Sequence, residues 1–359
     1  EDSINGIKAG YAAGMKVIHI PDTIEINDDI RRLTSVVCHS LSDVPDIIDT
    51  WNEGKVADVE GYYENAKINR VYVDRVHVKK AFAEYTAAYN ADDPKIKLKI
   101  DHTYRVAALC ERIAKAAGMC AYDVELAWLS GMLHDVGRFE QIKRYNTFSD
   151  ADSVDHAKFG ADLLFKDGLI STFLNGMVKC TGYKPGALED RYSSDGVFLY
   201  DRLNKSDMEM LELAIRCHNM YRIPQGLNRR EQAFCNVLRD ADKVDIFKVN
   251  IDTPLEEIYN TTTEELMKSD ITDEVLEEFD EEHCILKAIR RTPADTVIGH
   301  VSLAYELVYD ESVRITVEQG YLAKLMHFHS DNEETNRKMA MVREKMDSYV
   351  KKRIGEKDA

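Results

Sequence analysis

From about residue 100 onward, apolar positions recur at intervals of three and four, which predicts a chain made almost wholly of helices. The stretch 101–117 carries His102, Val106, Leu109 and Ile113 on one side, the spacing of a buried stripe. A second helix, 123–135, buries Leu126, Leu129 and Leu133 and ends in His134-Asp135, with Gly137 expected as its stop. A third starts near Ser153 as N-cap, placing His156 in its first turn beside Gly160, Leu163 and Leu164. The helix 207–219 aligns Met208, Leu211, Ile215 and His218, and the helix 230–249 aligns Cys235, Leu238, Asp242 and Ile246.

The pattern differs on either side of this block. Residues 1–51 read as short α/β units: a Gly-punctuated helix over 6–14, an apolar run at 16–20 stopped by Pro21, and a strand at 35–38. Residues 52–95 read as a connector with an alternating stretch at 70–76 and a helix near 79–89. The block 96–250 is the main helical domain, and 251–359 an extension of acidic helices. Within it, 264–282 reads as a solvated face, 296–309 and 321–328 as packing onto the main domain, and the last residues as an exposed helix that frays.

Composition narrows the functional classes. Lys and Arg number 47 against 64 Asp and Glu, a net charge of −17. No basic tract offers a footprint for a nucleic-acid polymer, and no apolar run approaches the roughly 20 residues of a membrane span. Phosphate could be handled only at a local site where metal or a few cations reverse the field. The 7 cysteines are scattered, with no C-x-x-C pair. Reduced thiols and a cytoplasmic location are expected, since no basic stretch followed by an apolar run opens the chain.

One inward-facing histidine is ordinary core chemistry. A carboxylate on a core stripe is not, because burying an unpaired ion costs several kcal/mol. His102, His134, Asp135, His156, His218 and Asp242 together, projecting inward from five helices, form the donor set that one or two divalent cations require.

His102, then Leu133-His134-Asp135-Val136-Gly137-Arg138, then Asp242 within Arg239-Asp240-Ala241-Asp242-Lys243-Val244-Asp245, resembles the H…HD…D signature of the HD phosphohydrolase superfamily. The resemblance implies a mainly α fold, an HD-domain helical bundle. It also implies one or two divalent metals (Mn, Fe, Zn, Ni or Mg) and a small phosphorylated substrate, a nucleotide or other phosphomonoester, hydrolysed through a metal-bound hydroxide. The family's Ala-Asp-Lys pattern falls on Asp242, and Asp240 lies about 200° round the helix from it. His156 and His218 match the additional histidines of two-metal members; Tyr221-Arg222-Ile223-Pro224 lacks the Gly-Tyr-Pro of the cyclic-dinucleotide phosphodiesterases.

Arg138 stands where many members have Lys and is expected to bind phosphate beside Asp135, a carboxylate expected to bridge two ions or to bind one directly. Lys143, Arg144 and Lys158 are further candidate phosphate contacts, residues 139–148 a candidate pocket wall, and Asp101 a candidate to orient an imidazole. Two rival readings use the same residues: a di-iron oxygenase of HD type, and a non-catalytic sensor whose metal is structural. The text from Glu1 to Met15 is similar to the last motif of haloacid-dehalogenase-like phosphatases of the phosphoglucomutase type, in which Glu1 and Asp2 would be a remnant Mg²⁺ site. That resemblance places the nucleophile upstream of Glu1, so the fragment is expected to be inactive.

Overall fold

The structure, a computed structural model, describes residues 2–20, 33–37, 41, 44–45, 48, 73–90, 92–119, 121–174, 205–256 and 261–355. Glu1, Cys38, Cys120, Cys180 and half of the connector, residues 52–72 and 91, lie outside them. At the N-terminus α1 (Ile4–Ala12) is capped by the Ser3 hydroxyl, which accepts from Gly6 N at 3.1 Å. Strand β1 (Ile18–His19) pairs in parallel with β2 (Val36–Val37), Ile18 opposite Val36. Ile7 and Val17 form a small apolar cluster separate from the main core.

The helical body begins with α2 (Arg75–Thr86) and α3 (Pro94–Ala116). α3 starts seven residues before the apolar stripe predicts, because Asp93 caps it by accepting from Lys95 N at 2.8 Å and Pro94 fits the first turn. Next come α4 (Ala121–Leu133), α5 (Val136–Tyr145), α6 (His156–Ala161, continued by a π turn over Asp162–Lys166), α7 (Ile170–Leu174), α8 (Lys205–Cys217) and α9 (Arg229–Asp252). Gly137 is not a stop; it lies in the first turn of α5. A Cβ there would lie 2.5 Å from His156 O and 2.7 Å from Gly160 N, so glycine is what lets α5 and α6 touch. The N-cap of α6 is Asp155 and not Ser153, whose hydroxyl donates to Ser149 O and accepts from Gln141.

The C-terminal layer comprises α10 (Thr263–Lys268), α11 (Asp273–Asp280), α12 (Pro293–Val301), a 3₁₀ turn (Ser302–Glu306), α13 (Asp310–Gln319), α14 (Tyr321–Met326) and α15 (Glu333–Ile354). α9 is the junction, packed on α3, α4 and α8 and also on α13 and α14. Asp240 fastens it there, accepting from Val308 N, Tyr309 N and the Ser312 hydroxyl at 3.0, 3.0 and 2.7 Å. One apolar core runs from Val73 to Ile354. The last helix is no fraying tail: α15 buries Met339, Val342, Met346, Val350 and Ile354 in that core. Among the described residues Cys110, Cys217, Cys235 and Cys284 are free buried thiols, and no helix is long and apolar enough to cross a membrane.

Candidate metal centre

Five segments deliver six side chains to one buried point. His102 sits in mid-α3, Asp242 in mid-α9, and His134-Asp135 form the turn between α4 and α5. His156 opens α6 and His218 follows α8 directly. Asp135 occupies the N-cap position of α5, yet its carboxylate makes no capping bond and stays available.

The ring nitrogens settle how the imidazoles are used. His134 Nδ1–H donates to Gly131 O at 2.8 Å and His218 Nδ1–H to Ile215 O at 2.7 Å. His102 Nδ1–H donates to Asp245 at 2.6 Å and His156 Nδ1–H to Asp150 at 2.7 Å. When neutral, each ring therefore turns a bare Nε2 lone pair inward. His102 and His134 Nε2 are 3.3 Å apart, and His156 and His218 Nε2 3.1 Å apart. Acceptors that close repel unless a cation is shared between them.

Asp135 lies between the two pairs. Its Oδ2 is 3.5 Å from both His102 and His134 Nε2, while its Oδ1 is 3.6 Å from His156 and 3.8 Å from His218. Asp242 Oδ1 joins the first pair, 3.1 Å from His102 and 3.8 Å from His134. Asp135 Oδ1 is buried with no hydrogen-bond partner among the described residues. Converging lone pairs and an orphaned buried carboxylate oxygen fit divalent metal.

Protonation agrees with that fit. Burial, helped by the Arg138 cation, holds His156 at about 4, and burial with neighbouring His134 holds His218 at about 4. Burial also lowers His134. His102 moves the other way: burial and Lys99 lower it, but the Asp242 and Asp245 carboxylates more than offset them. Asp135 stays well below the carboxylate range against its burial, through Lys99, His134, His156 and Arg138. Ionised carboxylates and mostly neutral imidazoles are the state ligation needs.

The supporting residues depart from the sequence expectation. Asp101 is exposed, and Asp245 holds the His102 ring instead, itself clamped by Arg105 at 2.6 and 2.9 Å. The spacing Asp242-x-x-Asp245 on one helix carried that signal. Asp150 takes the same role for His156 and also accepts from Arg138 at 3.0 Å and Gln141 at 3.0 Å. Lys99, one turn before His102, carries no signal of its own in the stripe, yet its Nζ reaches Asp135 Oδ2 at 2.6 Å and lies over the Phe148 ring.

Arg138 does reach the centre. Its Nε is 3.7 Å from Asp135 Oδ1, while Nη1 is committed to Gln141, Phe148 O and Asp150. The structure does not bring in Lys143, Arg144 or Lys158: the first two pair with Glu140 and the third with Asp155, all three exposed. Of the proposed wall, Phe139 is fully buried in the core, whereas Phe148 does lie beneath Lys99 and Arg138. Asp240 faces the C-terminal layer and Asp242 the histidines. Asp2 is exposed ahead of α1.

Residues 100–248 match the family model of the HD domain. The match supports the HD superfamily, which is generally hydrolytic and metal-dependent, and it spans all six candidate ligands. No curated protein and no solved structure matches the chain. The matched stretch takes in α4 to α8, most of α3 and α9, and the turn that carries His134-Asp135.

Proposed function

We propose that this protein hydrolyses a small phosphate ester, a nucleotide or other phosphomonoester, at a dinuclear centre. His102, His134 and Asp242 would hold one ion, His156 and His218 the other, and Asp135 would be shared. The carrying observation is Asp135 itself, one oxygen facing each histidine pair. Bound divalent cations supply Lewis acidity and a lowered pKa for water.

The chain's own residues do the rest. Asp245 and Asp150 hold the ring tautomers that expose Nε2. Lys99 and Arg138, both over Phe148, present positive charge to the non-bridging oxygens of the phosphoryl group. Lys99 pairs with Asp135 when no substrate competes; with Asp135 engaged by metal, its ammonium turns to phosphate. Arg138 keeps Nη1 on protein acceptors and offers its remaining donors.

The reading includes the N-terminal boundary. Residues 1–51 are proposed as the C-terminal part of a phosphatase-like α/β domain, supported by the parallel pairing of β1 with β2. The test of the main proposal is metal analysis of anaerobically purified protein followed by a phosphate-release screen over small metabolites. Asp135→Ala is expected to lose both metal and turnover. Full metal and turnover in that variant would remove the assignment.

A further inference from the structure

A second concentration of buried charge lies on α9, on the flank turned to the C-terminal layer. Arg239, one turn before Asp242, is 7% exposed. Its Nη2 donates to Tyr221 O at 3.0 Å and stands 3.7 Å from Glu306, while its buried Nε finds no hydrogen-bond partner among the described residues. Lys243, one turn further along, has its Nζ in the same state and lies in the field of Arg239, Glu306 and Cys284. Arg290 reaches in from the C-terminal layer. One of its nitrogens donates to Ile285 O, its Nε is buried without a partner among the described residues, and Cys284 is its neighbour. The Tyr221 hydroxyl donates to Cys284 O at 3.1 Å, so the three cations share one neighbourhood.

Asp240 and Asp295 add charge to the surroundings of Lys243 and Arg290 but none of the missing hydrogen bonds. Asp240 is committed to Val308, Tyr309 and Ser312, and Asp295 to Thr272 and the amides of Arg291 and Thr292. Only Glu306, among the described residues, is left within reach of Arg239. Three buried cations that each leave a donor without a hydrogen bond among the described residues are unfavourable as they stand, and a chain with net charge −17 had carboxylates in excess. The neighbourhood opens on a cavity of about 560 Å³ lined by Tyr221, Arg222, Gln225, Gln232, Arg239 and Glu306.

We infer that this cavity binds the phosphate group of a small ligand, gripped by the Arg239 guanidinium. A planar fork matches phosphate oxygens, and Lys243 and Arg290 behind it supply charge that water does not screen. The volume exceeds what a lone phosphate fills, leaving room for an organic portion along Tyr221 and the two glutamines. Nothing in this inference depends on metal at the histidine cluster.

The test is calorimetric titration and thermal melting of the full chain with inorganic phosphate, pyrophosphate and a nucleoside monophosphate, using the wild type, Arg239→Gln, Arg222→Gln and Asp135→Asn. Saturable binding is expected in the wild type and in Asp135→Asn, weakened at least about tenfold in Arg239→Gln and less in the rim variant Arg222→Gln. Tighter binding of the nucleoside monophosphate than of inorganic phosphate identifies an ester as the ligand; equal binding identifies free phosphate. Absence of saturable binding by all three probes overturns the inference, as does Arg239→Gln binding like the wild type, or loss confined to Asp135→Asn. Should Arg239→Gln not fold, Lys243→Met gives a second reading. It is expected to raise the ligand-free melting temperature by removing an unpartnered ammonium, and a lowered one speaks against the inference.

Discussion

Lys99 Nζ lies 2.6 Å from Asp135 Oδ2, a cation joined to the one carboxylate that faces both histidine pairs. Lys99 comes from α3 and Asp135 from the turn between α4 and α5, and their contact sets the charge of the centre before any ligand arrives. If Lys99 turns to substrate phosphate during turnover, Lys99→Met should keep its metal and lose about 10- to 100-fold in kcat/KM, the value of one charge-assisted contact. Metal content and steady-state kinetics on the same preparation check this. Unchanged kcat/KM would exclude Lys99 from catalysis.

Asp245 acts on His102 and not on substrate. Asp245→Asn leaves Arg105 without its ion pair and weakens the hold on the His102 Nδ1–H. Metal affinity is expected to fall about 10- to 100-fold, with turnover recovering when metal is added in excess. A chelator competition titration reads the affinity directly.

Gly137 tests the packing that positions His156. Gly137→Ala pushes a methyl to within 2.5 Å of His156 O, a backbone atom that cannot swing aside. A loss of about 1–3 kcal/mol is expected, together with weakened occupancy of the His156/His218 pair. Denaturant melts and metal counts on the variant decide it; an unaltered melt would mean that α5 and α6 separate readily.

How much of this was readable beforehand depends on what each feature rests on. The six candidate ligands were found because burial forces a polar side chain on an apolar stripe to have a reason. Asp240 and Asp242 could be separated by helical angle alone. Lys99 and Asp245 carry the same i, i+3 spacing but do not stand out in the sequence, since a cation and an acid at a helix surface look alike whether or not they touch the site. Asp150 sits in a loop, where no periodicity tells which way a carboxylate points. Gly137 reads as a stop in the sequence because a close approach between α5 and α6 is a tertiary fact. The final helix looked exposed because its apolar positions, Met339, Val342, Met346 and Val350, are diluted by charge, and only the layer beneath shows them buried.

Acid stability offers a check away from the centre. Burial, with Arg290 and Lys287 nearby, holds His300 at about 3, below the usual histidine value of about 6.5. In the unfolded chain this ring takes up a proton as pH falls through 6.5, while in the folded protein it does not. Its contribution to stability is therefore complete above about pH 6.5 and is lost progressively towards pH 3, at no more than about 1.4 kcal/mol per pH unit before solvent screening. His300→Gln should flatten the decline of stability between pH 6.5 and 4 in urea melts; an identical slope would show that His300 does not carry it.

The most direct test of the central claim is phosphate release by the metal-loaded full chain across a panel of small phosphomonoesters, run beside Asp135→Ala with dissolved oxygen monitored. The account predicts turnover of at least one ester, no oxygen uptake, and a loss of activity of at least about a thousandfold in the variant. Iron-loaded protein that consumes oxygen and releases phosphate from no substrate would contradict it.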